Sequence, residues 1–368
     1  MKQTMLLKLA PSPAQHAALL ETMHAFNDAC NVIAETAYAE QLGNKFKLQK
    51  LVYADIRKRF KLSSQLAIRA ISKTADSYKR DKSIKPTFRR EGAITYDERV
   101  MSFKGLNEVS LLTLQGRVLV PFRIGGYQEA RLSAIKGQAD LIYREGTFYL
   151  AVTLDVPIPE PAESADILGV DLGIVNLATD SEGETCSGEA VEKNRKQMHS
   201  LRTRLQKRGT KSAKRRLKKL SGRESRFRRN TNHVISKHIV RKAKSAKKAI
   251  AIEDLRHISS RTERTVRRSQ RSRHSSWSFG QLRQFLTYKA ALAGVQLHVI
   301  HPRNTSRICH QCGHCEKANR KSQAQFLCKS CGYAASADYN AAINISRAVV
   351  MQPIVSLGSQ SAWKQIGA

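Results

Sequence analysis

The chain has 368 residues, with 64 Lys and Arg against 30 Asp and Glu and a net charge of +34; that excess repels itself in the free protein and calls for a polyanionic partner. Hydrophobic residues make up 41%, enough for real cores in two or three domains, while no run reaches the ~18 apolar residues of a membrane span and no secretory pattern opens the chain. Seven cysteines, four of them in paired C-x-x-C spacing, point to a reducing compartment and a metal rather than disulfides, so nucleic acid is the expected partner, a membrane is not, and the cytoplasm is the expected location.

Met5–Ala10 is a short apolar strand, ended by Pro11-Ser12-Pro13, where Ser12 can cap a helix with Pro13 at its first position. Leu19, Met23, Phe26, Cys30, Ile33 and Ala37 then recur at helical steps to about Gln41, with Cys30 as an ordinary core residue. Helices over Leu48–Phe60 and Ser63–Lys82 follow, so residues 13–83 form a small bundle. Arg69 and Lys73 share a face of the last helix. A solvated basic face and a nucleic-acid contact suit them equally.

Residues 84–160 are punctuated by glycines and carry strand patterns at Val109–Leu114, Arg117–Phe122, Ala139–Tyr143 and Thr147–Leu154. They suggest a small antiparallel barrel or sheet that the N-terminal strand could join, leaving the bundle as an insertion. Pro157, Pro159 and Pro161 form a stiff linker.

The apolar stretch Ile167–Ala178 carries one acid. Val170 and Leu172 point to one side of a strand and Asp171 to the other, where a charge among apolar neighbours needs a partner such as a metal ion. Gly173 permits a tight turn, and Ile174–Thr179 reads as a returning strand. Residues 191–229 are intensely basic, with Leu201, Leu205, Leu217 and Leu220 at partial helical spacing interrupted near Gly209, which predicts a helical hairpin. Arg202, Lys207, Arg208, Lys211, Arg215, Arg216 and Arg226 are its candidate phosphate contacts. Asn230–Ala246 continues as a helix with Val234, Ile235, Ile239 and Val240 inward.

Glu253 ends the apolar run Ala249–Ile252. Arg256–His274, rich in Ser and Arg, reads as a flexible loop that could cover a site. A helix over Phe279–Ala293 closes at Gly294, and Val295–Ile300 is a strand. Further on, Ser336 is placed to cap a helix whose first turn holds Asp338. One such acid alone is ordinarily a surface or capped residue. Three in the order strand Asp, strand-end Glu, helix-start Asp, on so basic a chain, can hold two divalent ions about 4 Å apart for in-line phosphodiester cleavage, and Mg²⁺ suits all-oxygen ligation.

Cys309-x-x-Cys312 and Cys328-x-x-Cys331, fifteen residues apart and each followed by Gly, have the spacing of a structural Cys₄ site for one Zn²⁺. Cys312-x-x-Cys315 is a competing pair, less favoured than the one starting at Cys309. His310 and His314 read as surface residues, and Cys186 has no partner in sequence.

Together Ile167–Ala178, Ile250–Leu255, Thr305-Ser306-x-x-Cys309-x-x-Cys312-Gly313, Phe326-x-Cys328-x-x-Cys331-Gly332 and Ala337–Ile345 resemble the TnpB (OrfB) family, encoded by insertion sequences and related to type V CRISPR effectors; Trp277-Ser278-Phe279-x-x-Leu282 and Tyr288-Lys289-Ala290 fit the same pattern. The resemblance implies an α+β multidomain chain. Residues 1–11 and 85–160 would form a β-barrel wedge domain interrupted by a helical recognition lobe, 12–84. An RNase H-like (RuvC) nuclease domain, 161–304 and 335–368, would carry a zinc-ribbon insert at 305–334. It implies an RNA-guided DNA endonuclease of a transposon, which binds a noncoding guide RNA and cuts double-stranded target DNA beside a short motif in the cytoplasm of a prokaryote, at the nucleoid. Carried over by motif, Asp171, Glu253 and Asp338 are the catalytic Mg²⁺ ligands, Cys309, Cys312, Cys328 and Cys331 the Zn²⁺ ligands, and Asn340 a brace. Ala337 departs from the basic residue many members carry there. Three rival readings are a nuclease-inactive RNA-guided repressor, a guide-independent junction nuclease, and a transposase making covalent DNA links, which would need a catalytic Tyr in a His-rich metal context that the sequence does not display.

Overall fold

Ser12 starts the first helix, α1 (Pro13–Ala39), as its residue types dictate: its hydroxyl accepts the Gln15 N–H, the Gln15 side chain accepts the Ser12 N–H, and Pro13 fills the first turn. The computed structural model describes residues 1–255 and 278–351; the expected covering loop, Trp277 and the tail from 352 lie outside the described residues. The chain divides into two compact units, Met1–Pro157 and Ile158–Ala368.

In the first unit, α2 (Lys45–Phe60) and α3 (Ser64–Arg80) start at Asn44 and Ser63, whose side chains accept first-turn N–H groups. The sheet comprises β1 (Lys2–Leu9), β2 (Ile94–Tyr96), β3 (Met101–Lys104), β4 (Glu108–Thr113), β5 (Gly116–Arg123), β6 (Ile135–Arg144) and β7 (Thr147–Asp155), with a short helix α4 (Gly126–Glu129) between β5 and β6. Their order is β2-β6-β7-β1-β5-β4-β3. The N-terminal strand therefore sits in the middle, antiparallel to both β5 and β7. The two edge strands, β2 and β3, are consecutive in the chain and joined by a turn in which Val100 N–H donates to Asp97 O at 3.1 Å. The sheet thus curls until its edges meet, and the Tyr96 hydroxyl donates to Leu112 O of β4 at 2.9 Å across the closure. Sheet and helices share one buried core, in which Leu7, Leu150 and Val152 join Phe26, Ile33 and Leu66.

Arg69 and Lys73, the two candidate nucleic-acid contacts on α3, are half-buried and hydrogen-bonded within this unit. Arg69 pairs with the buried Asp97 of the β2–β3 turn, its Nε at 2.9 Å. Lys73 donates to Asn27 Oδ1 at 2.9 Å and Ala93 O at 2.7 Å, with its ammonium over the Phe26 and Phe88 rings; burial pushes its pKa down. Arg69 and Lys73 tie α3 to the loop before and after β2, so in this structure both cations already have protein partners. A helix face read in isolation cannot disclose a partner 20 or more residues away.

The second unit holds a five-stranded sheet of β8 (Ile167–Asp171), β9 (Asn176–Asp180), β10 (Thr185–Ser187), β11 (Ala249–Glu253) and β12 (Leu297–Ile300), ordered β10-β9-β8-β11-β12. β8, β9 and β10 form an antiparallel meander, and β11 and β12 run parallel to β8. Its helices are α5 (Glu189–Arg208), α6 (Lys211–Ser245), α7 (Phe279–Ala293) and α8 (Ala337–Met351). Strand alternation sorts the layers. Leu168, Val170, Ile250 and Ile252 face a core with Ile235, Ile239 and Ala243 of α6 and Leu282 and Leu286 of α7. The opposite face, with Ala251 and Ile300, takes Ile345 of α8. Val234 was expected inward but is 61% exposed, because it lies one residue off the Ile235–Ile239–Ala243 stripe.

Gly169 makes the close approach of α8 possible: a Cβ there would meet the backbone of Ala342 and lie 2.6 Å from Ser346 N. Gly169→Ala should destabilise this unit by about 3 kcal/mol, read as a lower denaturation midpoint. An unchanged midpoint would mean that α8 does not seat on β8 as found here.

α5 and α6 form the expected basic hairpin, turning at Gly209 (φ +63°) and restarting at Thr210. Leu205, Ala213 and Leu220 are buried between them, which is why so charged a segment folds. Among the described residues no helix is long and apolar enough to cross a membrane.

Candidate active site and metal centre

The parallel register of β8 and β11 pairs Ala251 with Gly169 and Ile252 with Val170. One step further along, Asp171 and Glu253 fall side by side at the ends of neighbouring strands, on the face that α8 covers. Asp338 enters from the first turn of α8. The Asp171 carboxyl is pushed up to about 8, first by desolvation and then by the charges of Glu253 and Asp338. Burial also raises Glu253, against the Thr305 hydroxyl, which donates to Glu253 Oε1. Asp171 thus feels the charge of two acids from distant parts of the chain, and the destabilised charge that results is what a divalent cation relieves.

The surrounding groups were not singled out by sequence reasoning. Asn176 donates to Asp338 Oδ2 at 2.8 Å, and Arg320 Nη2 lies 3.9 Å from Asp338 Oδ1. Arg320 also lowers the pKa of Asp171 and Glu253, so a cation from between the two cysteine pairs stands beside all three acids. Ala337, the position lacking the basic residue, is buried with Cys309, Phe326 and Cys328. Asn176 and Thr305 lie within the motifs that carry the resemblance but were given no role there, and Arg320, a lone cation between the cysteine pairs, carried no signal.

Cys309, Cys312, Cys328 and Cys331 have their Sγ atoms within 4.8 Å of one another. The Cys309–Cys331 and Cys312–Cys328 separations are 3.7 and 3.6 Å. Tetrahedral Zn–S bonds of about 2.3 Å require sulfurs about 3.8 Å apart, so the quartet fits a metal such as zinc. Gly313 and Gly332 follow the pairs at φ +75° and +73°, the left-handed turn each knuckle needs. The Cys331 backbone N–H that Cys328 accepts pushes the Cys328 thiol down, while the neighbouring sulfurs push Cys331 up. β13 (Gln325–Leu327) and β14 (Ala334–Ser336) pair around the second knuckle. Cys315 is exposed and outside the quartet.

His310, expected at the surface, is instead half-buried and stacked on Tyr333 at 4.5 Å. Its position beside a knuckle that packs against α8 is a tertiary fact. Asn340 is fully buried and donates to Ile308 O at 2.8 Å while accepting His310 N–H at 3.2 Å. Asn344 donates to Thr305 O and Ile308 O at 2.9 and 2.7 Å. Asparagines one turn apart on α8 thus lock the first knuckle to the helix that begins with Asp338.

On the basic hairpin, Lys207, Arg208, Lys211, Arg215, Arg216 and Arg226 are exposed. Arg202 differs, since it pairs with Glu224 and ties α5 to α6.

Two family models match: "Probable transposase" (OrfB_IS605) over residues 149–273 and "Cas12f1-like, TNB domain" over 279–345. The chain is 31% identical over 221 residues to the CRISPR-associated endodeoxyribonuclease Cas12f1 of Sulfoacidibacillus thermotolerans, covering 55% of this chain and 50% of that one. It is 29% identical to the putative RNA-guided DNA endonuclease InsQ of Escherichia coli (strain K12), covering 54% and 53%. The TnpB-like protein MJ0751 of Methanocaldococcus jannaschii is 31% identical over 35% and 45%. The chain spans about half the length of the curated relatives it matches. A solved Cas12f1–sgRNA–target DNA complex aligns with 94% of this chain and 99% of its own at 16% identity, with a TM-score of 0.41, too loose a likeness to carry an argument.

The sheet with its acids and the cysteine ribbon docked on α8 fall within the stretches these matches cover, and they define a protein of the OrfB and Cas12f class. Within that class, the two family models and the names of these relatives support a member of the TnpB (OrfB) family.

Proposed function

We propose that the chain is an RNA-guided DNA endonuclease of a transposon, working in a prokaryotic cytoplasm on nucleoid DNA. The observation that carries this reading is the convergence of Asp171, Glu253 and Asp338 at one end of the sheet, in a chain of net charge +34. The second unit is then an RNase H-like (RuvC) domain with a zinc ribbon, and the first a wedge barrel with a helical recognition lobe that shares its core. Its relatives are named as endodeoxyribonucleases and as a putative RNA-guided DNA endonuclease, which supports the substrate class.

Asp171, Glu253 and Asp338 would hold two Mg²⁺ ions, which supply an activated water and stabilise the leaving 3′ oxygen. Thr305 fixes the Glu253 carboxylate, and Asn176 holds Asp338 by Oδ2, so both acids are oriented before substrate arrives. Zn²⁺ on the four cysteines would keep the first knuckle, and through Asn340 the start of α8, in place. The exposed cations of the hairpin would grip guide RNA and the guide–target duplex by their phosphates, leaving sequence to base pairing.

The test is to sequence RNA that copurifies with the protein and to challenge the complex with a plasmid library matching that RNA. Cutting is expected only with RNA, a matching target and Mg²⁺. Cutting of branched DNA without RNA would instead establish a junction nuclease, and RNA-dependent binding without cutting a repressor.

A further inference from the structure

In the first unit, α1 and the C-terminal end of α2 enclose a cleft of about 530 Å³. Half-buried Leu20, Phe60 and Leu114 supply its apolar surface, and exposed Arg59 and Lys61 stand beside it. Two acids also line it. Asp28 pairs with Arg90 at 3.1 Å, and Glu21 accepts from the Gln115 side chain at 2.9 Å, so each carboxylate keeps further lone pairs for an amino or ring N–H donor.

The approach to the cleft is equally distinctive. α2 buries Leu48, Val52 and Ile56 in the core, with Tyr53 and Phe60 partly buried against it. The rest of the helix carries six Lys and Arg against one acid, Asp55, and displays Phe46 at 66% and Leu51 at 58% exposure. Cations interleaved with bare apolar and aromatic side chains suit a strand whose phosphates are charged and whose bases have unstacked faces. A regular duplex offers only the first of these. A peptide partner acidic enough for the cations would leave the aromatic ring and the acceptor pair at the cleft unused.

We propose that this cleft receives one unpaired nucleotide of the bound nucleic acid, its base against Phe60 and its flanking phosphates at Arg59 and Lys61. The assignment rests on the nucleic-acid reading above but not on cleavage, so the two are tested apart. The probes are single-stranded DNA and RNA ten-mers with one central 2-aminopurine, the same sequences fully duplexed, and free AMP. On the wild-type chain the single-stranded probes are expected to bind with a change in 2-aminopurine fluorescence. Ala25→Trp, which fills the cleft, and the surface change Lys61→Glu should each weaken single-strand binding about tenfold, with Ala25→Trp abolishing the fluorescence change and leaving duplex affinity unaltered. Single-strand binding and fluorescence identical to wild type in both variants would overturn the assignment and leave the nuclease reading intact. AMP binding as tightly as the ten-mers would make this a free-nucleotide site instead. If no probe binds the wild type, the nucleic-acid reading falls together with the cleft.

Discussion

Asp171→Asn is expected to abolish DNA cutting, by about 10³-fold or more, while raising the stability of the metal-free protein by about 1–2 kcal/mol. Both effects have one cause. The native Asp171 carboxyl is pushed up to about 8 by burial and by Glu253 and Asp338, from an ordinary value of 3.8. Between those two values the native state binds more protons than the unfolded chain, so the stability this group contributes is complete below about pH 4 and is lost as pH rises through about 8. At neutral and higher pH the metal-free site is therefore a strained cluster of acids, and the amide removes one charge without changing its shape. Thermal melts with EDTA at pH 5 and pH 8.5 check the stability arm; the variant should gain most at the higher pH. A cleavage assay with Mg²⁺ checks the other arm, and surviving activity in Asp171→Asn would remove this residue from the reaction.

The second large effect is expected from Cys328→Ser. The quartet's sulfurs stand at tetrahedral spacing, and structural zinc contributes roughly 10–16 kcal/mol to ordering such a subdomain. Metal analysis should find the zinc lost. Activity should fall as well, by about 10²-fold, although Cys328 is not one of the three acids. The route is mechanical. Cys328 packs with Cys309, Phe326 and Ala337, Asn340 and Asn344 clamp the first knuckle onto α8, and α8 carries Asp338. The five-stranded sheet has its own core, so far-UV circular dichroism should be largely retained. Cys315→Ser should leave zinc content untouched; the opposite outcome for the two cysteines would reassign the fourth ligand.

The residues differ in how openly the chain displays their roles. The α1 stripe from Leu19 to Ala37, the cap at Ser12 and the leucines of the basic hairpin were all legible, because helical spacing and capping are local. β2, β3 and β10 were missed, being strands of three or four residues too short to carry a period. Arg69 and Lys73 were legible as cations and illegible as structural ones, since their partners Asp97 and Ala93 lie in the loops flanking β2, 20 or more residues away. Asn176, Thr305 and Arg320 showed no role, the first two standing unremarked inside quoted motifs, because each is given meaning only by what stands opposite it.

What the amino-acid order alone determined is the inventory: an apolar strand bearing an acid, a second acid closing another strand, a third opening a helix, four thiols at ligand spacing, and a surplus of positive charge. Those features are set by neighbours within a few residues, where strand alternation and helical period act. Only the tertiary structure decided that Asp171 and Glu253 stand abreast, because that depends on the register of β8 against β11. It likewise decided that Asp338 faces them, because a glycine in β8 lets α8 lie close. Register and helix seating come from packing between segments more than 160 residues apart, and no local pattern encodes them.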